Sequence, residues 1–324
     1  MSSAARAPKI SILVVIYRMS RQAENTLYSL SARFQRNVSE ADYEIIAVEN
    51  PSDDVLGEDR ARALGGNIEY FLRDEPAQSP VFALNYAYER SRAPLVGLIV
   101  DGARMVTPRM LEHALLGQRL VPHPLIAVPG YHLGPEEHHK NVSAGYDEKV
   151  EAGLLEKIDW KNNGYDLFTI ACFSGANAKG FMCPLLESNC LFCTREDFER
   201  IGRADERFDL PGGGSVNLHM YAKLAALPES KLIVLAGEGS FHQFHGGVTT
   251  TEIEDRDQVI ATQSQQLRMV NGGTFEGVHR EPMVLGVIPW QAQQFMKRSA
   301  SFAIFHAAAC KKLGWPEWYE SKGT

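Results

Sequence analysis

The chain has 324 residues, 44% of them hydrophobic and 23% charged, which suits a soluble globular protein with a well-buried core in roughly two lobes. Its formal charge of −7 argues against nonspecific binding to nucleic acid. No apolar run approaches the ~18 residues of a membrane span, and the opening MSSAARAPKI lacks the apolar centre of a secretory signal.

KISILVVIY, from Lys9 to Tyr17, reads as a buried strand because of its β-branched run. Ala23, Leu27, Leu30 and Phe34 then recur at helical spacing. YEIIAVEN ends a second strand at Asn50, where Pro51, Ser52, Asp53 and Asp54 signal a turn. NIEYFLR is a third, short strand. Ser79 and Pro80 form an N-cap followed by proline at the first helical position, and that helix runs to about Arg90. PLVGLIV, Pro94 to Val100, is the next strand, and Thr107-Pro108 opens another helix.

The region from Leu125 to Trp160 reads as one strand, a long polar loop and a short helix. The loop holds His132, His138 and His139 at spacings that match no zinc pattern, so a mobile loop over a cleft is expected. ESNCLFCTREDFERIG is a strand and a helix, capped by Thr194, with Asp197 at its third position and Gly202 at its end. Cys190 and Cys193 form a lone CxxC that reads as buried strand. Five cysteines without a secretory signal point to reduced thiols in the cytosol, where the Asn141-Val-Ser143 sequon has no meaning.

The PGGGSVN loop feeds a helix and brings backbone N–H groups near a ligand. It lacks the preceding strand of a dinucleotide fingerprint. KLIVLAGEGSFHQFHGG is a strand leading into a histidine-bearing loop. Beyond residue 251 the chain reads as helical, with Phe295, Phe302, Phe305 and Ala309 on one face. Those aromatics mix with Lys297, Arg298, Lys311 and Lys312, as in an interfacial membrane helix or in a helix packed on the core or on a partner subunit.

Strands alternating with helices over the first 120 residues imply a doubly wound parallel sheet. Such sheets bind ligands beyond the carboxyl ends of their strands. Tyr17, Glu49, Asn50 and Asp101 all stand at such ends.

Four stretches in this order resemble the GT-A glycosyltransferases of the large family-2 type, over about residues 10 to 248. ISILVVIYR with YEIIAVENPSDD is similar to the paired first strands that hold base and ribose. FALNYAYERS is similar to the Ala-Leu-Asn helix. IVDGARMVTP matches the strand ending in the metal-binding Asp-x-Asp. ESNCLFCTREDFERIGRADERF is similar to the acceptor-side segment. The resemblance implies an α/β, Rossmann-like GT-A sheet that is mixed but mainly parallel. Residues 1–125 would form a nucleotide-sugar-binding half, 126–250 an acceptor-side half, and 251–324 a helical C-terminal segment.

It also implies transfer of a sugar from a UDP-, GDP- or dTDP-linked donor to a saccharide or other hydroxyl acceptor; the cysteines and the lack of a secretory signal lead to the expectation of a cytoplasmic protein, and the C-terminal segment to one that could sit at the membrane periphery. A divalent cation would stabilise the departing diphosphate, with Asp101 as its carboxylate ligand. The alternative for Asp101 is an aspartate that caps a turn. Ala103 stands where the family has its second aspartate, so His245 or His242 would complete the site, imidazole suiting Mn²⁺ better than Mg²⁺. Tyr17, Glu49, Asn50 and Asn85 would shape the nucleotide side.

The family's general base falls on Asn217 here, and asparagine cannot take a proton at neutral pH. Glu187 is the first substitute, with His219 or Asp205 and Glu206 behind it; a retaining reaction, in which the leaving phosphate accepts the proton, is the other way out. Two rival readings remain: a noncatalytic nucleotide-sugar-binding protein on the same fold, favoured by Ala103 and Asn217, and a sugar nucleotidyltransferase, which would want a glycine-rich loop after strand one.

Overall fold

The computed structural model of the chain describes residues 7–74, 78–246, 256–278 and 280–313. The first half alternates strand and helix: β1 Ile10–Ile16, α1 Ser20–Leu30, β2 Tyr43–Glu49, α2 Glu58–Arg62, β3 Ile68–Leu72, α3 Pro80–Arg90, β4 Leu95–Ile99, β5 Arg104–Val106, α4 Met110–Leu120 and β6 Pro124–Ala127. There follow β7 Gly130–Leu133, α5 His138–Asn141, α6 Glu148–Glu156, β8 Ala171–Phe173, β9 Cys190–Thr194, α7 Arg195–Arg200, α8 Val216–Ala226, β10 Lys231–Leu235, β11 Ser240–His242, α9 Arg256–Asn271, β12 Met283–Leu285 and α10 Gln293–Leu313.

Among the described residues, eight strands form one sheet in the order β12-β10-β6-β9-β4-β1-β2-β3. It is parallel throughout except at β9, which runs antiparallel to both β4 and β6. Every residue of β1, β2 and β4 is buried. That is why these strands are continuous apolar runs rather than alternating ones: a parallel sheet covered on both faces leaves no wet side. Leu13, Val15, Ile46 and Val48 join the core on one face. Ile12, Val14, Ile45 and Ala47 join the core on the other. Each such large aliphatic side chain contributes about 1.5–3 kcal/mol of burial free energy.

Local signals explain several details. Ser79 Oγ accepts from the Val81 N–H at 3.3 Å, and Pro80 stands at the helix start, as expected for α3. Thr194 Oγ1 accepts from the Asp197 N–H at 3.0 Å and caps α7. Gly97 has no side chain because a Cβ there would lie 2.6 Å from the ring of Phe192 on β9. Cys190 and Cys193 face opposite sides of the sheet, in different cores, so their CxxC spacing binds nothing jointly. Burial pushes the Cys190 thiol up to about 12.

Four expectations are corrected. Thr107 does not open a helix; its hydroxyl accepts from the Gly239 N–H, and α4 begins only at Met110. The polar loop after β6 is not a loose flap: it contains β7 and α5, and His138 is fully buried. The C-terminal region is not purely helical, because β12 joins the sheet edge parallel to β10. Its aromatic face is split: Phe295 packs against Tyr131, Phe168 and Phe173, whereas Phe305 is exposed. The side chain of Ala309 lies outside the described residues. No helix among the described residues is long and apolar enough to cross a membrane.

A second sheet, in the order β5-β11-β7-β8, stands beside the first. Its register sets Arg104 opposite His242, His242 opposite His132, and His132 opposite Cys172. Partners opposite one another share a sheet face, so four chemistry-bearing side chains form one row. The sequence does not announce this sheet, since strands of three or four residues carry no readable period.

Candidate functional site

A cavity of about 570 Å³ opens at the carboxyl ends of β1 and β4. Tyr17, Asn50 and Asp101 line it from the first half of the chain; Glu187, Asn217 and His245 line it from the second.

Asp101 lies just past β4. The turn that follows is tight: the Gly102 N–H donates to the Val15 carbonyl at 2.8 Å, and a Cβ on Gly102 would meet that oxygen at 2.6 Å. The Ala103 N–H donates to Asp101 Oδ1 at 3.1 Å. Asp101 therefore does cap its turn, but its carboxylate also faces the cavity. The antiparallel pairing of β5 with β11, and a bond from the Gln243 N–H to the Ala103 carbonyl at 2.8 Å, bring the histidine loop against this turn.

The result is a compact cluster. His242 Nε2 lies 2.8 Å from Asp101 Oδ2, His245 Nε2 lies 3.6 Å from Asp101 Oδ1, and the two Nε2 atoms are 3.1 Å apart. Cis ligands of an octahedral ion held at about 2.1 Å stand about 3 Å apart. One carboxylate and two imidazoles at these separations therefore fit a divalent cation of the Mn²⁺ type. Burial by itself would raise the Asp101 carboxyl, but His242 and His245 hold it well below the carboxylate range. Burial, with Arg104 adding to it and Asp101 opposing, pushes His242 down to about 4. A carboxylate facing neutral imidazole is the protonation state that metal binding needs.

Arg104 is a cavity residue that the sequence reading passed over. Its Nη2 lies 3.6 Å from Asp101 Oδ2 and its side chain is buried. A buried guanidinium lining this cavity is suited to an anionic ligand. Its position three residues after Asp101, at the start of a strand too short to read, hid it.

Glu187 stands on the cavity wall. Its carboxylate accepts from the side-chain amides of Asn217 and of Asn189, the latter at 3.1 Å. Asn217 Oδ1 is not needed for this; its Nδ2 also reaches Asn189 Oδ1 at 2.8 Å. Burial raises the Glu187 carboxyl above the ordinary glutamate value, with Arg104 and the two amides opposing. The glycine loop stands next to it: Gly212, Gly213 and Gly214 all have positive φ, and Pro211, Gly212 and Gly214 line the cavity. Only glycine accepts such a run without strain.

The other expected residues lie elsewhere. His219 is turned into the junction of α8 with α9, where its Nδ1 meets Asn271 Oδ1 at 2.7 Å and its ring packs on Phe208. Asp205 is paired with Arg207, and Glu206 accepts from Asn85. None of these four lines the cavity. Asn85 exchanges hydrogen bonds with the Ala204 backbone at 3.0 and 3.2 Å, so it fastens α3 to the segment before α8. Glu49 is fully buried and accepts from the Leu56 and Gly57 N–H groups and from the Tyr70 hydroxyl. That carboxylate is occupied by its own chain.

No family profile matches this sequence, and no curated protein matches it. Solved structures do match its fold. Residues 1–349 of Staphylococcus aureus TarS superpose with a TM-score of 0.50 at 12% identity, covering 91% of this chain and 79% of that one. The longer S. aureus TarS structure gives 0.50 at 13% identity, covering 94% of this chain but 53% of that one. This chain thus spans about half of that longer protein. A mannosyltransferase from Pyrobaculum calidifontis, solved with GDP-Man and Mn²⁺, gives 0.46 at 13% identity, covering 95% and 73%. The eight-stranded sheet, with one antiparallel strand in its middle, is the sheet of the GT-A glycosyltransferases, and this chain has their fold.

Proposed function

We propose that the protein is a glycosyltransferase that moves a sugar from a nucleoside-diphosphate sugar to a hydroxyl acceptor. The observation that supports this reading is the shared cavity: it is lined both by Asp101, His242 and His245, a group that could hold a cation, and by Glu187, whose carboxyl burial raises.

Asp101, His242 and His245 would hold a divalent cation, which when bound neutralises the charge of a leaving diphosphate. Arg104 adds a fixed positive charge on the same side. Tyr17 and Asn50, at the ends of β1 and β2, bound the cavity where the nucleotide would lie. Glu187 takes the proton from the acceptor hydroxyl. The acceptor oxygen then bonds to the anomeric carbon, and the bond from that carbon to the diphosphate breaks with its electron pair going to phosphate. Asn217, in the place of the family's base, holds the glutamate that replaces it. A single displacement of this kind inverts the anomeric centre.

The test is equilibrium binding of UDP, GDP and dTDP with and without Mn²⁺. One of the three should bind, and more tightly with the cation; binding of none overturns the reading. Ala103, which leaves the cation with a single carboxylate, favours a second reading: a protein that binds a nucleotide-sugar without turning it over. Hydrolysis of the bound donor by wild type but not by Glu187→Gln separates the enzyme from the binder.

A further inference from the structure

A second imidazole cluster lies beside the first. One ring nitrogen each from His132, His138 and His242 fall within 4.8 Å of one another. The ring centroids of His132 and His138 are 4.6 Å apart, those of His132 and His242 5.1 Å, and those of His138 and His242 5.2 Å. Nothing in the proposed reaction uses His132 or His138.

The Nδ1 atoms of all three rings are buried without a hydrogen-bond partner among the described residues. Three such atoms in one place are costly if nothing binds them, since a buried polar atom without a partner loses its hydration for no return. The opposite nitrogens of His138 and His242 have partners. His138 Nε2 meets the Leu133 carbonyl at 3.0 Å, and His242 Nε2 faces Asp101. A carbonyl or carboxylate on the far nitrogen is the partner that metal-ligating histidines have.

We propose that His132, His138 and His242 form a second metal site, selective for a borderline cation such as Zn²⁺ or Co²⁺. The donor set decides the class: three imidazoles and no carboxylate suit these ions and not Mg²⁺ or Ca²⁺. Tetrahedral coordination at about 2.0–2.1 Å sets nitrogens about 3.4 Å apart, and the three ring nitrogens here stand within 4.8 Å of one another. His132 and His242 also line the cavity. Such an ion would join β7, α5 and β11 through Nδ1 of His242; with a cation also on Nε2, that ring would bridge the two sites as an imidazolate.

The test uses the nucleotide-free full chain and Co²⁺, whose visible absorption reports nitrogen ligands. Wild type should bind one equivalent, measured by equilibrium dialysis and by metal analysis. His138→Phe and His132→Asn should each lose the intense visible band of tetrahedral cobalt, whatever cobalt the Asp101, His242 and His245 cluster keeps. Phenylalanine at 138 keeps the packing on Tyr146 and Phe244, whose rings are 5.5 and 5.6 Å away, and the asparagine variant is an independent check should that one fail to fold. Asp101→Asn should retain that band while losing any nucleotide-dependent Mn²⁺ binding, which keeps this proposal separate from the transferase reading. No such band in wild type overturns it, as does a band lost in Asp101→Asn but retained in His138→Phe or His132→Asn.

Discussion

Asn217 donates its side-chain amide to the carboxylate of Glu187, joining the start of α8 to the segment before β9 across the cavity. The bond stabilises the charged form of a carboxyl that burial pushes toward the neutral form. On the proposed reading, an asparagine that cannot itself be a base keeps the glutamate ionisable and positioned. The division of labour makes the pair a unit, and it fixes the expected kinetics.

Glu187→Gln should lower kcat by about 10²–10⁴, the range for loss of a general base, with donor binding retained. In wild type, activity should rise with pH as the glutamate loses its proton, with a midpoint above the ordinary glutamate value because burial raises it. Asn217→Ala removes a group that favours the charged form, so its midpoint should move further up. A pH–rate profile of all three proteins checks this; an acid limb that survives in Glu187→Gln assigns the limb to another group.

Charge around Asp101 predicts coupling between cation and nucleotide. Arg104 already lies 3.6 Å from the carboxylate, so a divalent cation arriving alone meets a nearly neutral site and a like charge. A diphosphate offsets both. Mn²⁺ should therefore bind about 5–150-fold more tightly in the presence of the right nucleoside diphosphate, and by linkage the nucleotide should gain by the same factor. Calorimetry in both orders measures the two factors. Arg104→Ala should weaken the nucleotide and shrink the coupling; a variant that binds both more tightly would contradict the role given to the guanidinium.

The parts of this molecule that were legible in its sequence are those whose signals are local. β1, β2 and β4 could be read because strands buried on both faces cannot hide their composition, and Ser79-Pro80 and Thr194 could be read because a cap is made within three residues. Asp101 and His242 were legible as residues, and the resemblance supplied the reason to bring them together. The pairing that does so, β5 with β11, was not: strands of three residues have no period, and their register is decided by tertiary packing. His132 and His138 were read as loop residues for the same reason. Glu49 failed differently. Its position at a strand end is right, but whether a carboxylate points into a cleft or is satisfied by the next turn depends on backbone N–H groups that composition does not reveal.

Glu49 accordingly gives a prediction opposite to that for a ligand-binding residue. Glu49→Ala would leave the Leu56 N–H and the Tyr70 hydroxyl buried without their acceptor. Unfolding in urea should show a loss of about 3 kcal/mol or more, from unsatisfied groups at about 1–3 kcal/mol each. Nucleotide affinity of the folded protein should change little. A normal midpoint with lost nucleotide binding would return Glu49 to the ligand.

Three other carboxylates set the acid end of the stability curve. Asp42 is held at about 2 chiefly by its bond from Lys9, Glu112 at about 2 chiefly by Arg109, and Asp205 at about 2 chiefly by Arg207. All three are lowered in the folded state, so they bind protons more readily once unfolded. Their contribution is complete above the unfolded values near 4 and is lost as pH falls toward 2. The pairs are partly exposed, with Lys9 and Asp42 at 40% and 24%, so solvent screens them and each is worth no more than about 1 kcal/mol. Asp42→Asn should therefore be less stable than wild type at pH 6, and the gap should narrow steadily between pH 4 and pH 2. Urea midpoints at several pH values measure it. A gap of the same size at pH 2 and pH 6 would mean that the aspartate acts through packing, since only an ionised carboxylate can lose its advantage to protons.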